Sequence, residues 1–140
     1  MKNLKIFLVT ILLTGAFCSC QAQTGGNDNE QVSVNNDRIE VYYFHNTRRC
    51  ATCKAAEAVT RETLEENYPE QMKEGNITFQ SLNIEEDANE PLARKWHVSG
   101  QTLLFVKNNN KKDLTNDAFM YARSNPDKLK EKILKTVEDL

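Results

Sequence analysis

The feature that most constrains this chain is a pair of cysteines, Cys50 and Cys53, placed between two segments of opposite structural preference. The residues before the pair, RIEVYYF (38–44), are rich in β-branched and aromatic side chains and predict a buried strand. The residues after it are rich in alanine, glutamate and leucine, so a helix is expected to begin at or near Cys50 and to end around 67–69. A strand end, a turn and a helix start therefore meet at this pair.

A cysteine at a helix start is suited to redox chemistry. The thiolate is the reactive form, and the unpaired N–H groups and positive dipole end of a helix lower the pKa of a thiol placed there. We expect Cys50 to be the exposed nucleophile and Cys53, one turn further along, to be the resolving thiol. Three basic residues, Arg48, Arg49 and Lys54, would add positive charge around the same sulfur.

Two other interpretations of the cysteine pair remain open. The sulfurs could bind a metal ion or a metalloid, although a zinc ribbon needs four ligands and the chain has no second such pair and only two histidines, His45 and His97. The sulfurs could also form an inert bridge, but a loop this small would stabilise the fold little. Thiol–disulfide exchange is the preferred interpretation, and it calls for no metal and no cofactor.

Size and charge narrow the classes of partner. At 140 residues the chain has room for one domain, and a net charge of −2 gives no indication of nucleic-acid binding. The predicted partner is a redox protein that exchanges disulfides with this one. The chain is expected to act as a monomer.

The first residues predict export. MKNLK carries two lysines, and the apolar run at 6–17 is too short to span a bilayer and is typical of a secretory signal peptide. Two processing routes remain open: acylation of Cys20, in a sequence that resembles a bacterial lipobox, or cleavage after Ala22 to release a soluble protein. Both routes place the mature protein in the periplasm or cell envelope. A lipid anchor at Cys20 would be its link to a membrane.

The chain divides into three predicted parts. Residues 1–22 form the signal peptide, which ends before Cys20 if the lipoprotein route is used. Residues 23–37 are polar and rich in glycine and asparagine, and they are expected to form a flexible linker. Residues 38–140 form the domain, whose two cysteines can be disulfide-bonded in an oxidising, exported location.

The predicted order of elements in the domain is β-α-β-α-β-β-α. After the first strand and helix, the predicted elements are a strand at 77–84, a short helix within 89–98, strands at 102–107 and around 113–115, and a final helix after Asn125. Asn109 and Asn110 are expected to form the hairpin turn between the last two strands. The final helix should bury one face, formed by Leu129, Ile133, Val137 and Leu140. This order predicts an α/β fold with a mixed central sheet and helices on both faces.

These segments together resemble the thioredoxin-like superfamily over residues 38–140. VYYFHNTRRCATCK, ITFQSLNIEED and WHVSGQTLLFV are similar, in this order, to the strand–CxxCK–helix, the LNID-type strand end and the G-x-P-T-L-L-L-F strand of thioredoxins. More narrowly, YYFHxTxRCxTC and NPDKLK resemble the ArsF family of small exported bacterial proteins, which is named as a nitrophenyl-compound nitroreductase subunit. The resemblance implies a thioredoxin-like fold and a thiol-based electron carrier for a reductase that acts on nitroaromatic compounds.

The chain departs from the thioredoxin pattern where that family carries a cis-proline opposite the cysteines. Alignment from Gly100 places Thr102 at this position. We expect a trans peptide bond there, because a cis bond before a residue other than proline costs about 3–4 kcal/mol. Threonine would also bring an N–H and a hydroxyl close to the sulfurs, which affects how a substrate docks.

Two further departures lie before the pair. Phe44 stands six residues before Cys50, where thioredoxins carry a buried acid. His45 is then a candidate to handle protons, since imidazole exchanges protons near neutral pH, or it only ends the strand and bonds the turn. Arg49 replaces the usual tryptophan, and it would either attract an anionic partner surface or be solvated charge.

The sequence thus predicts an exported, thioredoxin-like protein that exchanges disulfides through Cys50 and Cys53. The alternative function is a binding protein that holds a soft metal ion or arsenite between the two thiolates. A third interpretation is an adaptor without catalytic activity, whose disulfide only holds an interaction loop in shape.

Overall fold

The computed structural model describes residues 37–140. The predicted signal peptide, the two processing routes at Cys20 and Ala22, and the linker before Asp37 lie outside the described residues. The strands are β1 (Ile39–His45), β2 (Ile77–Asn83), β3 (Thr102–Lys107) and β4 (Asn110–Asp113), and the helices are α1 (Ala51–Asn67), α2 (Pro69–Lys73), α3 (Glu90–Trp96), α4 (Thr115–Tyr121) and α5 (Pro126–Glu138). Among these helices, none has the length and apolar character needed to cross a bilayer.

The strands of residues 37–140 form one mixed sheet in the order β2-β1-β3-β4. β1 runs parallel to β2, with Ile39 opposite Ile77, and antiparallel to β3, with Phe44 opposite Thr102. A parallel pair needs a crossover connection, and α1 and α2 supply it. The α/β fold with a mixed central sheet predicted from the sequence is confirmed.

The two faces of the sheet carry separate apolar clusters, because alternate side chains of a strand point to opposite faces. The cluster under α1, α4 and α5 is the larger one, and its fully buried members include Val41, Tyr43, Leu64, Leu103, Phe105, Leu129 and Ile133. The cluster under α3 is smaller and consists of Tyr42, Phe44, Ala93, Leu104 and Val106. Helices therefore cover both faces, as predicted, and α1 holds its place against the larger cluster.

The last helix follows the prediction closely. The side chain of Asn125 caps α5 by accepting a hydrogen bond from the Lys128 N–H at 3.2 Å. Leu129, Ile133 and Val137 are buried, and Leu140 packs partly against the same cluster. The four-residue spacing of these side chains gives one apolar face to the sheet.

The hairpin and the segment after it differ from the prediction. Lys107 pairs with Asn110, so the two-residue turn consists of Asn108 and Asn109, one position earlier than expected. Asn108 adopts a φ of 59°, which asparagine tolerates better than most residues and which tight hairpins need. β4 therefore begins at Asn110, before the range 113–115 in which it was predicted.

Of the residues predicted as the fourth strand, Asp113 ends β4, Leu114 is the N-cap of α4 and Thr115 begins α4, a helix that the prediction missed. The side chain of Asp113 accepts a hydrogen bond from the Thr115 N–H at 2.8 Å, which favours a helix start at this point. Leu114, Ala118 and Ala122 then recur every four residues and are buried against the larger cluster. α2 was also missed: it begins at a proline directly after α1.

Candidate active site

The cysteine pair lies at the start of α1. Cys50 is the N-cap residue, with extended backbone angles of φ −75° and ψ 166°, and Ala51 is the first helical residue. The Sγ atom of Cys50 accepts a hydrogen bond from the Cys53 N–H at 3.2 Å, as an N-cap side chain does. The two sulfurs are joined in a disulfide, with Cα atoms 5.2 Å apart. The predicted position of the helix start is confirmed.

The two cysteines differ in access to solvent. Cys50 is exposed, whereas Cys53 is only 1% exposed and packs into the protein. The first turn of α1 consists of Ala51, Thr52, Cys53 and Lys54, and its side chains carry no negative charge. The positive end of the helix dipole therefore acts on the Cys50 sulfur without an acidic side chain of the same turn to weaken it.

Tyr43 ties the first turn of α1 to the sheet. Its hydroxyl donates a hydrogen bond of 2.8 Å to the carbonyl oxygen of Cys53, and the side chain is fully buried in β1. Burial raises the pKa of Tyr43 above its ordinary value, although the nearby Arg49 guanidinium opposes this. The phenol therefore stays neutral and remains a donor at physiological pH.

Gln101, which the sequence interpretation did not single out, lies directly against the buried cysteine. Its Oε1 atom is 2.7 Å from the Sγ atom of Cys53, and the residue is half-buried in the segment before β3. The signal that could have found it is the run Gly100-Gln101-Thr102-Leu103. Matching the Thr-Leu-Leu of the thioredoxin motif, and not its glycine, puts Gln101 at the proline position.

The predicted closeness of the Thr102 N–H and hydroxyl to the sulfurs stays a prediction. Thr102 is the first residue of β3 and shares a sheet face with Leu104, on the side of α3, whereas α1 covers the opposite face. The Thr102 hydroxyl donates a hydrogen bond of 3.3 Å to the carbonyl of Gly100. The peptide bond before Thr102 is trans.

Arg49 is largely buried and paired within the chain, a contact that neither prediction for it included. Its guanidinium forms an ion pair with Glu57, and each of the two side chains is only 17% exposed. The same guanidinium lies 5.4 Å from the centre of the Tyr43 ring. The chain before Cys50 is thus fastened to the second turn of α1, and the charge of Arg49 is largely neutralised. Arg48 and Lys54 are exposed.

Glu57 stays ionised within this cluster. Burial favours its neutral form, but hydrogen bonds from Arg49, Ser81 and Arg61 and the charge of Arg49 outweigh burial. The pKa of Glu57 therefore lies below its ordinary value. A charged Glu57 keeps Arg49 in place at neutral pH.

His45 ends β1, one residue before the turn that leads to the cysteines. Its Nδ1 atom lies 2.9 Å from the carbonyl oxygen of Asn46, and its ring centre lies 6.2 Å from that of Tyr43. This geometry fits the interpretation in which the histidine bonds the turn, and proton handling by His45 stays a prediction. Phe44 is fully buried in the cluster on the α3 side, so no acid occupies its position.

The turn itself is fastened to the end of β2. The Thr47 N–H donates to the Glu85 carboxylate at 3.2 Å, and the Asn83 side-chain amide donates to the Thr47 hydroxyl at 2.9 Å. Hydrogen bonds from Thr47 lower the pKa of Glu85. The path of the chain into Cys50 is therefore set by contacts on both sides of the turn.

A shallow, mainly polar cavity of about 330 Å³ borders the site on the side of Gln101. Its walls include Trp96, His97, Gly100, Gln101, Lys111 and Asp113. His97, predicted only as one of two histidines, ends α3 with a left-handed φ of 57° and is exposed. Within residues 37–140, no group of three or more His, Cys, Asp and Glu side chains is arranged to hold a metal ion.

Comparison with known proteins gives similarity to thioredoxins at the level of structure. Oxidised thioredoxin O2 from Arabidopsis thaliana is 28% identical with a TM-score of 0.42, and the match covers 54% of this chain and 60% of that one. Fasciola hepatica thioredoxin is 23% identical with a TM-score of 0.45, covering 71% and 81% of the two chains. The germline-specific thioredoxin Deadhead of Drosophila melanogaster is 19% identical, with the same TM-score and coverage.

No protein-family model matches the chain, and no curated protein matches it. The narrower resemblance to the ArsF family therefore stays a prediction. The TM-scores of the three structures lie below 0.5, so the chemistry of the site has to follow from its own geometry. The fold is α/β with a mixed sheet, and a disulfide-bonded CxxC pair lies at the start of its first helix. Cys50 is exposed and Cys53 is buried.

Proposed function

We propose that this protein is a thiol–disulfide oxidoreductase in which Cys50 is the nucleophile and Cys53 the resolving cysteine. The observation that carries the proposal is the asymmetry of the bonded pair: Cys50 is exposed at the N-cap of α1, and Cys53 is 1% exposed behind it. Only the exposed sulfur can meet a disulfide on another protein. The buried one is held within bonding distance of its neighbour.

To reduce a partner's disulfide, the protein starts in its dithiol form, with Cys50 and Cys53 both reduced. The Cys50 thiolate attacks one sulfur of the partner's disulfide, a bond forms between that sulfur and Cys50, and the partner's other sulfur leaves as a thiolate. The Cys53 N–H, 3.2 Å from the Cys50 sulfur, and the dipole of α1 stabilise the attacking thiolate. We therefore expect the Cys50 thiol to ionise at a lower pH than a free cysteine.

The second step releases the partner. Cys53 loses its proton and attacks the Cys50 sulfur, the intramolecular disulfide forms, and the partner's remaining sulfur leaves as a thiolate. Two electrons and two protons have then passed to the partner. The contact between Tyr43 and the Cys53 carbonyl keeps the resolving sulfur in place during this exchange.

The test is reduction of insulin disulfides by the full chain with a thiol reductant. We expect Cys50→Ser to remove activity and Cys53→Ser to accumulate a mixed disulfide at Cys50. Cys18→Ser, outside the domain, is the matched control and should retain activity. Activity that survives both domain substitutions would contradict the proposal, and stoichiometric arsenite uptake without turnover would favour the binding protein instead.

We further propose that the protein acts after export, in the periplasm or cell envelope, and passes electrons to a partner reductase. The ArsF resemblance implies that this reductase acts on nitroaromatic compounds. Cell fractionation tests the location, and Cys20→Ala should release the protein from membranes if Cys20 carries lipid. The Cys53→Ser variant, which retains its mixed disulfide, allows the partner to be isolated and identified by mass spectrometry. A partner without any redox-active cysteine pair would contradict the electron-relay proposal.

A further inference from the structure

The contact between Gln101 and Cys53 joins a side-chain amide to a reacting sulfur. The Oε1 atom of Gln101 lies 2.7 Å from the Cys53 Sγ atom, and Cys53 is 1% exposed. In the disulfide this sulfur carries no hydrogen, so the contact cannot be a hydrogen bond in the oxidised protein. Reduction gives the sulfur a hydrogen, and the amide oxygen is then the acceptor in reach.

We propose that Gln101 accepts a hydrogen bond from the Cys53 thiol in the reduced protein and thereby sets the balance between its dithiol and disulfide forms. This inference deepens the proposed exchange function and rests on it. Gln101 touches a reacting atom, so its role is direct.

Three other polar side chains near the first turn of α1 have different partners. The Tyr43 hydroxyl donates to the carbonyl of Cys53. Glu57 accepts from Arg49, and His45 lies against the carbonyl of Asn46. Gln101 is therefore the side chain placed to satisfy a buried thiol, which would otherwise lose its hydrogen bond to water.

A bond that exists only in the reduced state shifts the redox equilibrium toward that state. The relevant reaction takes the Cys50–Cys53 disulfide and two glutathione thiols to the protein dithiol and one glutathione disulfide. The protein gains two electrons and two protons, and the two glutathiones lose them. Loss of the Gln101 bond should move the equilibrium constant about fivefold toward the protein disulfide, which corresponds to one ordinary hydrogen bond.

The direct test is the S–H stretching band of Cys53 in the infrared, measured on the full chain with Cys18, Cys20 and Cys50 replaced by serine. We expect the band at a lower frequency than that of an unbonded thiol, because donation weakens the S–H bond. Gln101→Met should move the band toward the unbonded frequency, whereas Gln101→Glu, which retains the oxygen, should keep it low. A band at the unbonded frequency with Gln101 in place would overturn the proposal, whether or not any variant folds.

The second test is equilibration of the full chain with glutathione buffers, with alkylation to count reduced protein. Gln101→Met should show the fivefold shift, and Gln80→Met, an identical change at an exposed position of β2, should show none. No shift, or a shift toward the dithiol, would overturn the role of Gln101. A wild-type disulfide that never equilibrates with glutathione would instead overturn the exchange function itself.

Discussion

Two helices of this protein begin with the same kind of capping hydrogen bond and differ in what surrounds the cap. In α1 the Cys50 sulfur accepts from the N–H three residues later at 3.2 Å, and in α5 the Asn125 side chain does the same at the same distance. α5 adds Pro126 as its first residue and the acidic Asp127 in its first turn. The first turn of α1 has neither a proline nor an acid.

The difference shows how one structural position can serve two purposes. Asparagine is among the strongest N-caps, and an acid in the first turn stabilises a helix through its dipole, so α5 begins in a way that favours stability. A sulfur is a weak acceptor, so α1 begins less stably but keeps its positive end available to a thiolate. Contacts elsewhere, from Tyr43 and from the Arg49–Glu57 pair, hold the start of α1 in place.

The largest effect is expected from replacing Cys50 by serine, which retains a capping side chain at the start of α1 but removes the nucleophile. Cys50→Ser should reduce disulfide exchange to the uncatalysed rate, because the nucleophile is gone. The variant should nevertheless be more stable than the reduced wild type by about 0.5–1 kcal/mol, since serine is a better N-cap than a thiol. Insulin reduction and urea denaturation under reducing conditions measure the two effects, and a reduced variant less stable than reduced wild type would contradict the assignment of Cys50 as a cap.

The next largest effect concerns the Arg49–Glu57 ion pair, which joins the chain before α1 to the second turn of the helix. Glu57→Gln should destabilise the protein by about 2 kcal/mol, a value between those of exposed and buried ion pairs, because Arg49 loses its charged partner. Glu62→Gln, an exposed change in the same helix, is the control and should have little effect. Urea denaturation at neutral pH measures both.

The same substitution has a defined pH dependence. The folded pKa of Glu57 lies below its ordinary value, so its contribution is fully present above that ordinary pKa and is lost as the pH falls through the lowered folded value. The stability difference between wild type and Glu57→Gln should therefore shrink on acidification. A difference that grows at low pH would show that the Arg49–Glu57 pair does not stabilise the fold.

A smaller effect is expected at the cap of α5. Asn125→Ala should cost about 1 kcal/mol of stability, because the Lys128 N–H loses its side-chain acceptor. The exchange rate at a temperature where both proteins are folded should not change. An exchange rate that fell together with stability would contradict the claim that the start of α5 contributes to stability and not to exchange.

The smallest effect comes from giving α1 the acidic first turn of α5. Ala51→Glu should raise the pKa of the Cys50 thiol and slow exchange about threefold at neutral pH, since a charge interacts with a helix end by about 0.3–1 kcal/mol. Ala51→Gln, equal in size and uncharged, is the control. The pH dependence of Cys50 alkylation measures the shift, and equal profiles for the two variants would show that the dipole does not activate this sulfur.

The parts of the fold that the sequence predicted well are those with a local cause. β3 is a continuous run of apolar residues, and α5 combines the Asn125 cap with a four-residue apolar spacing, so both appear where they were expected. α4 was missed because its seven residues have a weak pattern, and the prediction placed only a short strand, around 113–115, at its start. The spacing of Leu114, Ala118 and Ala122 was the available signal.

The parts of the site that the sequence did not predict depend on contacts between distant residues. Arg49 and Glu57 are eight positions apart and meet only because the chain turns sharply before α1. Gln101 reaches Cys53 across 48 positions, and the prediction named its neighbour Thr102 instead. Adjacent side chains of a strand point to opposite faces, and Thr102 lies on the α3 side.

The near-complete burial of Cys53 also bears on oxidative damage. In the reduced protein we expect peroxide to react at the exposed Cys50 and not at Cys53, which gives a sulfenic acid at Cys50 alone. The Cys53 thiol can then displace the hydroxyl group, which leaves as water while the disulfide forms. Cys50 is thereby returned to a disulfide, which can be reduced again, before further oxidation to the irreversible sulfinic acid.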